Sequence, residues 1–447
     1  MSSRVTRAEI LACLAAAGLV AALLGVTSGY TPWLSPDTGG YVAAATSPEP
    51  WGQARHPLFG WILGWLGGPH TRGLPLVQVA LYLTGGLALL GALRSYGLSV
   101  RAAASLGLSL LGSNLVLLWH NAVHPELLSA SLMLLALALA VRLAAGAALA
   151  TAGVALAAAL GLAYLLRPTF LPGIVLLPLL YGLLARLHGP GPVLSRALLL
   201  LVLCATPFLA NAAWRQAKVG DFNIVSFGGF QMSGMAGLML SPEVVGRLPS
   251  DLRPLGQAIL DGRTAAEARG DVIATPLNSR GERSFVSAAL GYYDLYARTY
   301  DSLLYGVIAP LQGDESWVAW NSRLMRFSVA TVRAAPDRYA AWLVGGTARA
   351  VGRMVATNVP LVLALALLAP LFAAAAWRRR LPLRPGSAAL DVPALLCLTV
   401  VYTAAAGALM VVTTFPAARY LDTAGLLLPA LPIYAALSLV AGLTRRG

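Results

Sequence analysis

The sequence predicts an all-α polytopic membrane protein with about ten transmembrane helices and a long extracytoplasmic loop region. Of its 447 residues, 58% are hydrophobic and only 11% are charged, whereas a soluble domain carries about 25% charged residues. Apolar stretches of roughly 20 residues also recur along the chain, which is the length that a helix needs to cross the hydrocarbon layer. Helices satisfy their backbone polar groups within one segment, as lipid demands.

Apolar runs locate the individual spans. They are 8–28, 73–93, 100–119, 125–143, 148–166, 168–186, 195–214, 359–377, 391–412 and 420–442. Three parts follow: an N-terminal transmembrane module (1–214) that contains a first outer loop (29–72), an extracytoplasmic region (215–358) and the C-terminal transmembrane helices (359–447). Arginines interrupt the apolar residues of 337–357, so we expect an amphipathic helix at the membrane surface there rather than an eleventh span.

The arginines predict the orientation. The formal net charge is +14, and Lys218 is the only lysine. Cytoplasmic loops are enriched in basic residues, and every second connection here carries arginine. The marked positions are Arg4, Arg7, Arg94, Arg101, Arg142, Arg186, Arg196, Arg378, Arg379, Arg380, Arg384, Arg445 and Arg446. This pattern places both termini in the cytoplasm, in a bacterial inner (plasma) membrane. Arginines at the ends of helices favour membrane lipids over nucleic acid as partners.

The first outer loop contains the sequence SPDTGGY at 35–41, directly after the first span. Asp37 has two interpretations. Its carboxylate either caps the helix that begins behind it, or serves as a general base held at the membrane surface. The same loop contains Arg55 and His56, which form either a polar turn or a cation beside a titratable imidazole.

The connection between the third and fourth spans has the sequence HNAVHPE at 120–126. Glu126 follows a proline that can start the next helix, and a carboxylate suits the positive end of a helix. With Asp37, the side chains of His124 and Glu126 are also candidate ligands for a divalent cation such as Mg²⁺ or Mn²⁺. A hydrogen-bonded turn without metal is the alternative, and the functions considered below do not require a cofactor.

Two arginines break the positive-inside pattern, because Arg167 and Arg419 stand at the predicted outer ends of their helices. A guanidinium at this depth either extends to a lipid headgroup or binds an anionic partner, and its planar shape suits phosphate.

These motifs resemble the GT-C superfamily of membrane glycosyltransferases, which includes the protein O-mannosyltransferases and the lipid A aminoarabinose transferase. The resemblance is carried by Pro36-Asp37-Thr38 with Tyr41, Arg55-His56-Pro57, His124-Pro125-Glu126, Arg167-Pro168, and Arg419-Tyr420 before a proline-containing last helix. It implies a GT-C-like helical bundle with its active site on the outer face. Many relatives carry paired acids in the first loop, whereas here only Glu49 is a nearby second candidate.

The resemblance implies an inverting transfer of sugar from a polyprenyl-phosphate donor to an extracytoplasmic glycan, lipid or protein. Asp37 would deprotonate the acceptor. The side chains expected to hold the donor phosphate are those of Arg55, Arg167, Arg419 and Tyr420. Those expected to support them or to bind a metal are His56, His124 and Glu126. The aromatic residues expected to contact sugar or acceptor are Tyr41, Tyr292, Tyr293 and Trp317.

Two other functions fit parts of the sequence. A polysaccharide polymerase or ligase also uses lipid-linked glycans and would place its key arginines in the long loop, for example Arg280, Arg283 and Arg298. A transporter or flippase would carry ionisable residues deep inside its spans, where this sequence has almost none.

Overall fold

The computed structural model describes residues 6–189, 191–271, 300–377, 389–414 and 418–444. Nearly all of these residues are helical. The helices are α1 (Arg7–Ser28), α2 (Thr38–Thr46), α3 (Leu58–Trp65), α4 (Gly73–Tyr96), α5 (Val100–Leu111), α6 (Asn114–Trp119), α7 (Glu126–Ala144), α8 (Leu149–Leu166), α9 (Gly173–His188), α10 (Val193–Val219), α11 (Gly228–Met239), α12 (Pro242–Arg247), α13 (Arg253–Arg269), α14 (Trp317–Ala334), α15 (Pro336–Thr357), α16 (Val359–Trp377), α17 (Asp391–Thr413), α18 (Ala418–Ala424) and α19 (Ala430–Thr444).

Seven segments of the described chain are long and apolar enough to span a membrane, and the bent pair α15–α16 gives an eighth if counted as one span. Two shorter apolar helices, Gly173–His188 and Ala430–Gly442, bring the number of apolar segments close to that predicted. The predicted fold class, an all-α polytopic membrane protein, is therefore confirmed. The assignment of sides and the three-part division of the chain stay predictions.

The last predicted span, 420–442, is wrong in detail because the structure divides it into α18 and α19. Pro429 lies at this break, and α19 begins at the next residue, Ala430. Proline has no backbone N–H and disfavours helical geometry in the residue before it. A helix that continued through this position would therefore lose a backbone hydrogen bond and be strained. The break leaves Arg419 on a short separate helix at one end of the bundle.

Helix α7 lies at the centre of the bundle, with 78% of its span buried, compared with 11% for the span in α1. Small residues permit close packing of its neighbours. A Cβ atom on Gly85 of α4 would stand 2.7 Å from the Ser131 carbonyl oxygen of α7. Because α7 begins at Glu126, this packing fixes the place of a buried carboxylate.

Helices α11 to α14, together with residues 300–312, form a second helical subdomain that has its own hydrophobic core. Trp320, Leu324 and Phe327 of α14 are fully buried in this core. Helix α15 follows, and its axis meets that of α16 at a bend of 73°. A helix is therefore present where one was expected at 337–357, and its place at the membrane surface stays a prediction.

Helices α2 and α3 pack against each other within the loop between α1 and α4. Gly60 of α3 is buried, and a Cβ atom there would collide with the Tyr41 carbonyl oxygen of α2. Gly64, one turn further along α3, has open space around it.

We expect Gly60→Ala to lower the thermal stability of the purified protein by about 1–3 kcal/mol, because α3 must move away from α2. Gly64→Ala is the matched control and should leave stability unchanged or raise it slightly, since alanine favours helix. Thermal unfolding of the two variants in detergent tests this, and equal melting temperatures would contradict the packing described.

Candidate functional site

Hydrogen bonds join the loop after α1 to the turn before α7. The Trp33 N–H donates to the Asn121 carbonyl oxygen, and the Val123 N–H donates to the Trp33 carbonyl oxygen, each over 2.8 Å. The Thr38 hydroxyl donates to the Val123 carbonyl oxygen over 2.9 Å and accepts from the Ser35 N–H. The two predicted motifs, 35–41 and 120–126, are thereby held side by side.

Asp37 occupies the N-cap position of α2, but its side chain makes no capping hydrogen bond. The capping interpretation of the carboxylate is therefore wrong. Instead, Arg55 Nη2 donates to Asp37 Oδ1 over 2.8 Å, and Arg419 Nη2 donates to Asp37 Oδ2. Burial alone would raise the pKa of the Asp37 carboxyl, but these two guanidinium groups outweigh burial and lower it. Asp37 is therefore ionised at neutral pH.

Glu126 is almost completely buried, with only 1% of its side chain exposed. Its Oε1 atom pairs with Arg167 Nη1 and lies 3.3 Å from Arg419 Nε. Its Oε2 atom lies 2.6 Å from His124 Nδ1. A carboxylate so deeply buried is stable only when opposite charges compensate its lost hydration, and Arg167 and Arg419 supply them.

We call the five linked residues Asp37, Arg55, Glu126, Arg167 and Arg419 the charge cluster. It contains three guanidinium groups and two carboxylates, so one positive charge is left over. The ring of Tyr420 lies under two of the arginines, 4.3 Å from Arg167 Cζ and 5.0 Å from Arg419 Cζ. Cation–π contacts of this kind hold guanidinium groups in a fixed plane.

The charge cluster has two layers. The side chains of Asp37, Arg55 and Arg419 are each about one-fifth exposed, at 19–21%. Those of Glu126 and Arg167 are only 1% and 9% exposed. The outer layer can therefore meet a ligand, and the inner layer holds it in position.

Helix α18, which carries Arg419, is held by a residue that sequence reasoning did not single out. Asp422 accepts hydrogen bonds from Asn114 Nδ2 over 3.0 Å and from Trp119 Nε1 over 2.9 Å. Its place three residues after Arg419 on the same helix is the signal that could have identified it. Phe227 was also missed, and its ring lies 4.0 Å from Arg55 Cζ.

Other residues predicted for the site have different neighbours. His56 Nδ1 accepts from the Leu58 N–H over 3.2 Å, and His56 Nε2 lies 3.3 Å from Asn211 Oδ1. Burial lowers the pKa of His56 to about 4, so this imidazole is uncharged at neutral pH and adds no cation.

The predicted aromatic contacts separate into three cases. Tyr41 is buried, with its ring centroid 5.0 Å from that of Phe59 and 5.6 Å from Arg55 Cζ. Trp317 stacks on Phe227 with 6.2 Å between ring centroids, and its indole N–H donates to the Ser226 carbonyl oxygen. Tyr292 and Tyr293 lie outside the described residues.

The predicted metal ligands do not suit a divalent cation in this arrangement. Within the described ranges, no three His, Cys, Asp or Glu side chains are grouped to hold a metal ion. The carboxylates of Asp37 and Glu126 are already paired with guanidinium groups, which would repel a cation placed between them. No step proposed below uses a metal.

Comparison with known proteins gives one structural similarity. Among solved structures, the chain matches the crystal structure of ArnT from Cupriavidus metallidurans bound to undecaprenyl phosphate. The TM-score is 0.33 and the identity 15%, and the alignment covers 99% of this chain and 79% of that chain. No family model and no curated protein matches the sequence.

We expect Glu126→Gln to destabilise the protein by about 3–5 kcal/mol, because it leaves two guanidinium groups beside a neutral amide in a buried site. Glu243→Gln is the control. Glu243 pairs with Arg247 at the surface with 69% of its side chain exposed, and such pairs contribute at most about 1 kcal/mol. Thermal unfolding compares the two, and a Glu126→Gln variant as stable as wild type would refute the structural importance of this carboxylate.

Proposed function

We propose that the protein is an inverting glycosyltransferase of the bacterial inner (plasma) membrane. It would move a sugar from a polyprenyl-phosphate donor to an extracytoplasmic glycan, lipid or protein. The observation that carries this proposal is the meeting of Asp37 with Arg55 and Arg419 at one end of a bundle of apolar helices. A lipid-linked phosphate needs both an apolar bundle and cations at its end. Its tail lies among the apolar helices, while its charged phosphate stays at their ends.

The arginines of the charge cluster suit a phosphate that gains charge. When the bond between the sugar and the phosphate breaks, negative charge develops on the leaving polyprenyl phosphate. Arg55 and Arg419 are partly exposed and already bind carboxylate oxygens, so they can bind phosphate oxygens in the same manner. Fixed donors aimed at a developing charge lower the barrier without reorganising during the reaction.

Asp37 suits the role of base. As an acceptor hydroxyl or amine attacks the anomeric carbon, its proton passes to the Asp37 carboxylate and polyprenyl phosphate departs from the opposite face. A donor phosphate that draws Arg419 away from Asp37 also removes a cause of its lowered pKa, so donor binding would make the base stronger.

The position of the charges does not favour a transporter. Asp37 precedes α2, Glu126 is the first residue of α7, and Arg167 directly follows α8. These charges stand at the ends of helices, whereas transport pathways carry ionisable groups near the membrane midplane. The loop arginines that a polysaccharide polymerase would use, Arg280, Arg283 and Arg298, lie outside the described residues.

We expect Asp37→Asn to lower the rate of sugar transfer by about 10²–10⁴-fold, because the amide cannot accept the acceptor proton. Binding of undecaprenyl phosphate should persist. Glu49→Gln, an acid in the same loop that forms no ion pair in the described structure, is the matched control and should keep its activity. Transfer from a panel of undecaprenyl-phosphate sugars measures this, and full activity in Asp37→Asn would exclude the proposed base.

The pH dependence of kcat/KM gives a separate test. The pKa of Asp37 lies below its ordinary value of 3.8, so the free enzyme should show no loss of kcat/KM from this group between about pH 5 and 8. Arg55→Gln removes a cation that lowers this pKa, and the acid limb should therefore move to higher pH. An acid limb that stays in place, or moves to lower pH, would contradict the pairing.

A further inference from the structure

We propose that Tyr305 and Asp301 form the sugar-recognition face of the site. The Tyr305 ring would pack on the apolar face of the donor sugar, while the Asp301 carboxylate accepts hydrogen bonds from its hydroxyl or amino groups. This inference rests on the proposed function and adds the residues that would distinguish a sugar-bearing donor from bare polyprenyl phosphate.

A continuous series of contacts joins Tyr305 to the charge cluster. The Tyr305 ring lies edge-on to Phe230 at 5.8 Å between centroids, and Phe230 lies 5.7 Å from Phe227. Phe227 in turn supports the guanidinium of Arg55 at 4.0 Å, and Arg55 binds Asp37. The second helical subdomain therefore presents an aromatic surface next to the proposed base.

The backbone at Tyr305 is unusual, because Leu304–Ile308 forms a π-helical turn. Such turns are rare and occur often at functional sites. Leu304, Val307 and Ile308 point into the subdomain core, whereas 56% of Tyr305 is exposed, and Asp301 is exposed as well. Asp301 lies in the helical residues just before this turn, four positions before Tyr305, and both residues are exposed.

Tyr300 anchors the turn beside the cluster. Its hydroxyl donates to the Gln231 carbonyl oxygen and accepts from the Thr414 hydroxyl over 3.2 Å. A Cβ atom on Gly234 would stand 2.6 Å from the Tyr300 ring, so α11 and this ring are in tight contact. Thr414 follows α17 and precedes Arg419 by five residues in the chain. Tyr300 thus ties the helical residues before the turn both to the subdomain and to Thr414 at the end of α17.

The charge cluster influences the ionisation of both Asp301 and Tyr305. Partial loss of hydration raises the pKa of the Asp301 carboxyl above its ordinary value, while the charge of Arg419 lowers it and that of Asp37 raises it. Partial loss of hydration likewise raises the pKa of Tyr305, with Arg55 lowering it and Asp37 raising it. Both side chains therefore lie within electrostatic reach of the outer layer of the cluster.

This pair of side chains fits a sugar better than a phosphate. A carboxylate only accepts hydrogen bonds at neutral pH, so Asp301 would repel a phosphate but bind hydroxyl or amino groups. An aromatic ring offers a large apolar surface with little conformational freedom to lose. Arginines for the phosphate on one side and Tyr305 with Asp301 on the other give separate places for the two parts of a phosphate-linked sugar.

The experiment compares the binding of undecaprenyl phosphate with that of undecaprenyl phosphate linked to glucose, mannose or aminoarabinose. We expect wild type to bind at least one sugar-bearing form about 10-fold more tightly than the bare phosphate, equivalent to about 1.4 kcal/mol. Tyr305→Ala and Asp301→Asn should each reduce this preference, with unchanged binding of the bare phosphate. Tyr305→Phe should keep the preference, because the ring remains.

Asp314→Asn is the matched control, since Asp314 is exposed in the chain segment after the π-helical turn and should have no effect. Tyr305 is exposed, so the Tyr305→Ala variant should have the same melting temperature as wild type. A preference for sugar that survives Tyr305→Ala, or a loss of bare phosphate binding in that variant, would overturn this inference alone. A wild-type protein that binds no form of undecaprenyl phosphate would overturn the proposed function as well.

Discussion

The buried carboxylate of Glu126 is the interaction on which the arrangement of the site depends. It stands at the first turn of the most deeply buried helix, where an unpaired charge would cost several kcal/mol. Arg167, Arg419 and His124 surround it. Because Arg419 also binds Asp37, one guanidinium joins the buried carboxylate to the partly exposed one. The packing of α7 thereby determines where the proposed base lies.

Without a ligand, the charge cluster satisfies itself. Three of the four carboxylate oxygens lie against guanidinium groups and Glu126 Oε2 lies against His124. The positive charge left over attracts an anion. A phosphate can replace Asp37 as a partner of Arg419, whereas Arg167 stays buried against Glu126. This exchange would couple the arrival of the donor to release of the base, without any change in the helical bundle. Preorganised charges of this kind stabilise a transition state because they need not reorient.

Much of the fold could be predicted, because the length of an apolar segment is a local property that the bilayer constrains directly. The eighth and ninth spans, predicted at 359–377 and 391–412, differ from α16 and α17 by at most one residue at either end. The tenth span was less accurate, since its prolines divide it. The sequence also identified Asp37, Arg419 and Glu126 as candidate site residues. Charged side chains at the predicted ends of membrane helices are costly unless they bind an opposite charge or a ligand. The direct ion pairing of these residues could not be predicted, because Asp37 and Arg419 are 382 positions apart. The role proposed for Asp301 and Tyr305 was missed as well, since Tyr305 lies in a π-helical turn that has no clear sequence signal and Asp301 lies three residues before that turn.

In the proposed function, the charge cluster receives the phosphate of a polyprenyl lipid. The most direct measurement is an experimental structure of the full chain in lipid nanodiscs with undecaprenyl phosphate. We expect phosphate oxygens at hydrogen-bond distance, about 3 Å, from Arg419 and Arg55, with Arg419 turned away from Asp37. A headgroup bound elsewhere, with the pairing of Asp37 to both arginines unchanged, would contradict it.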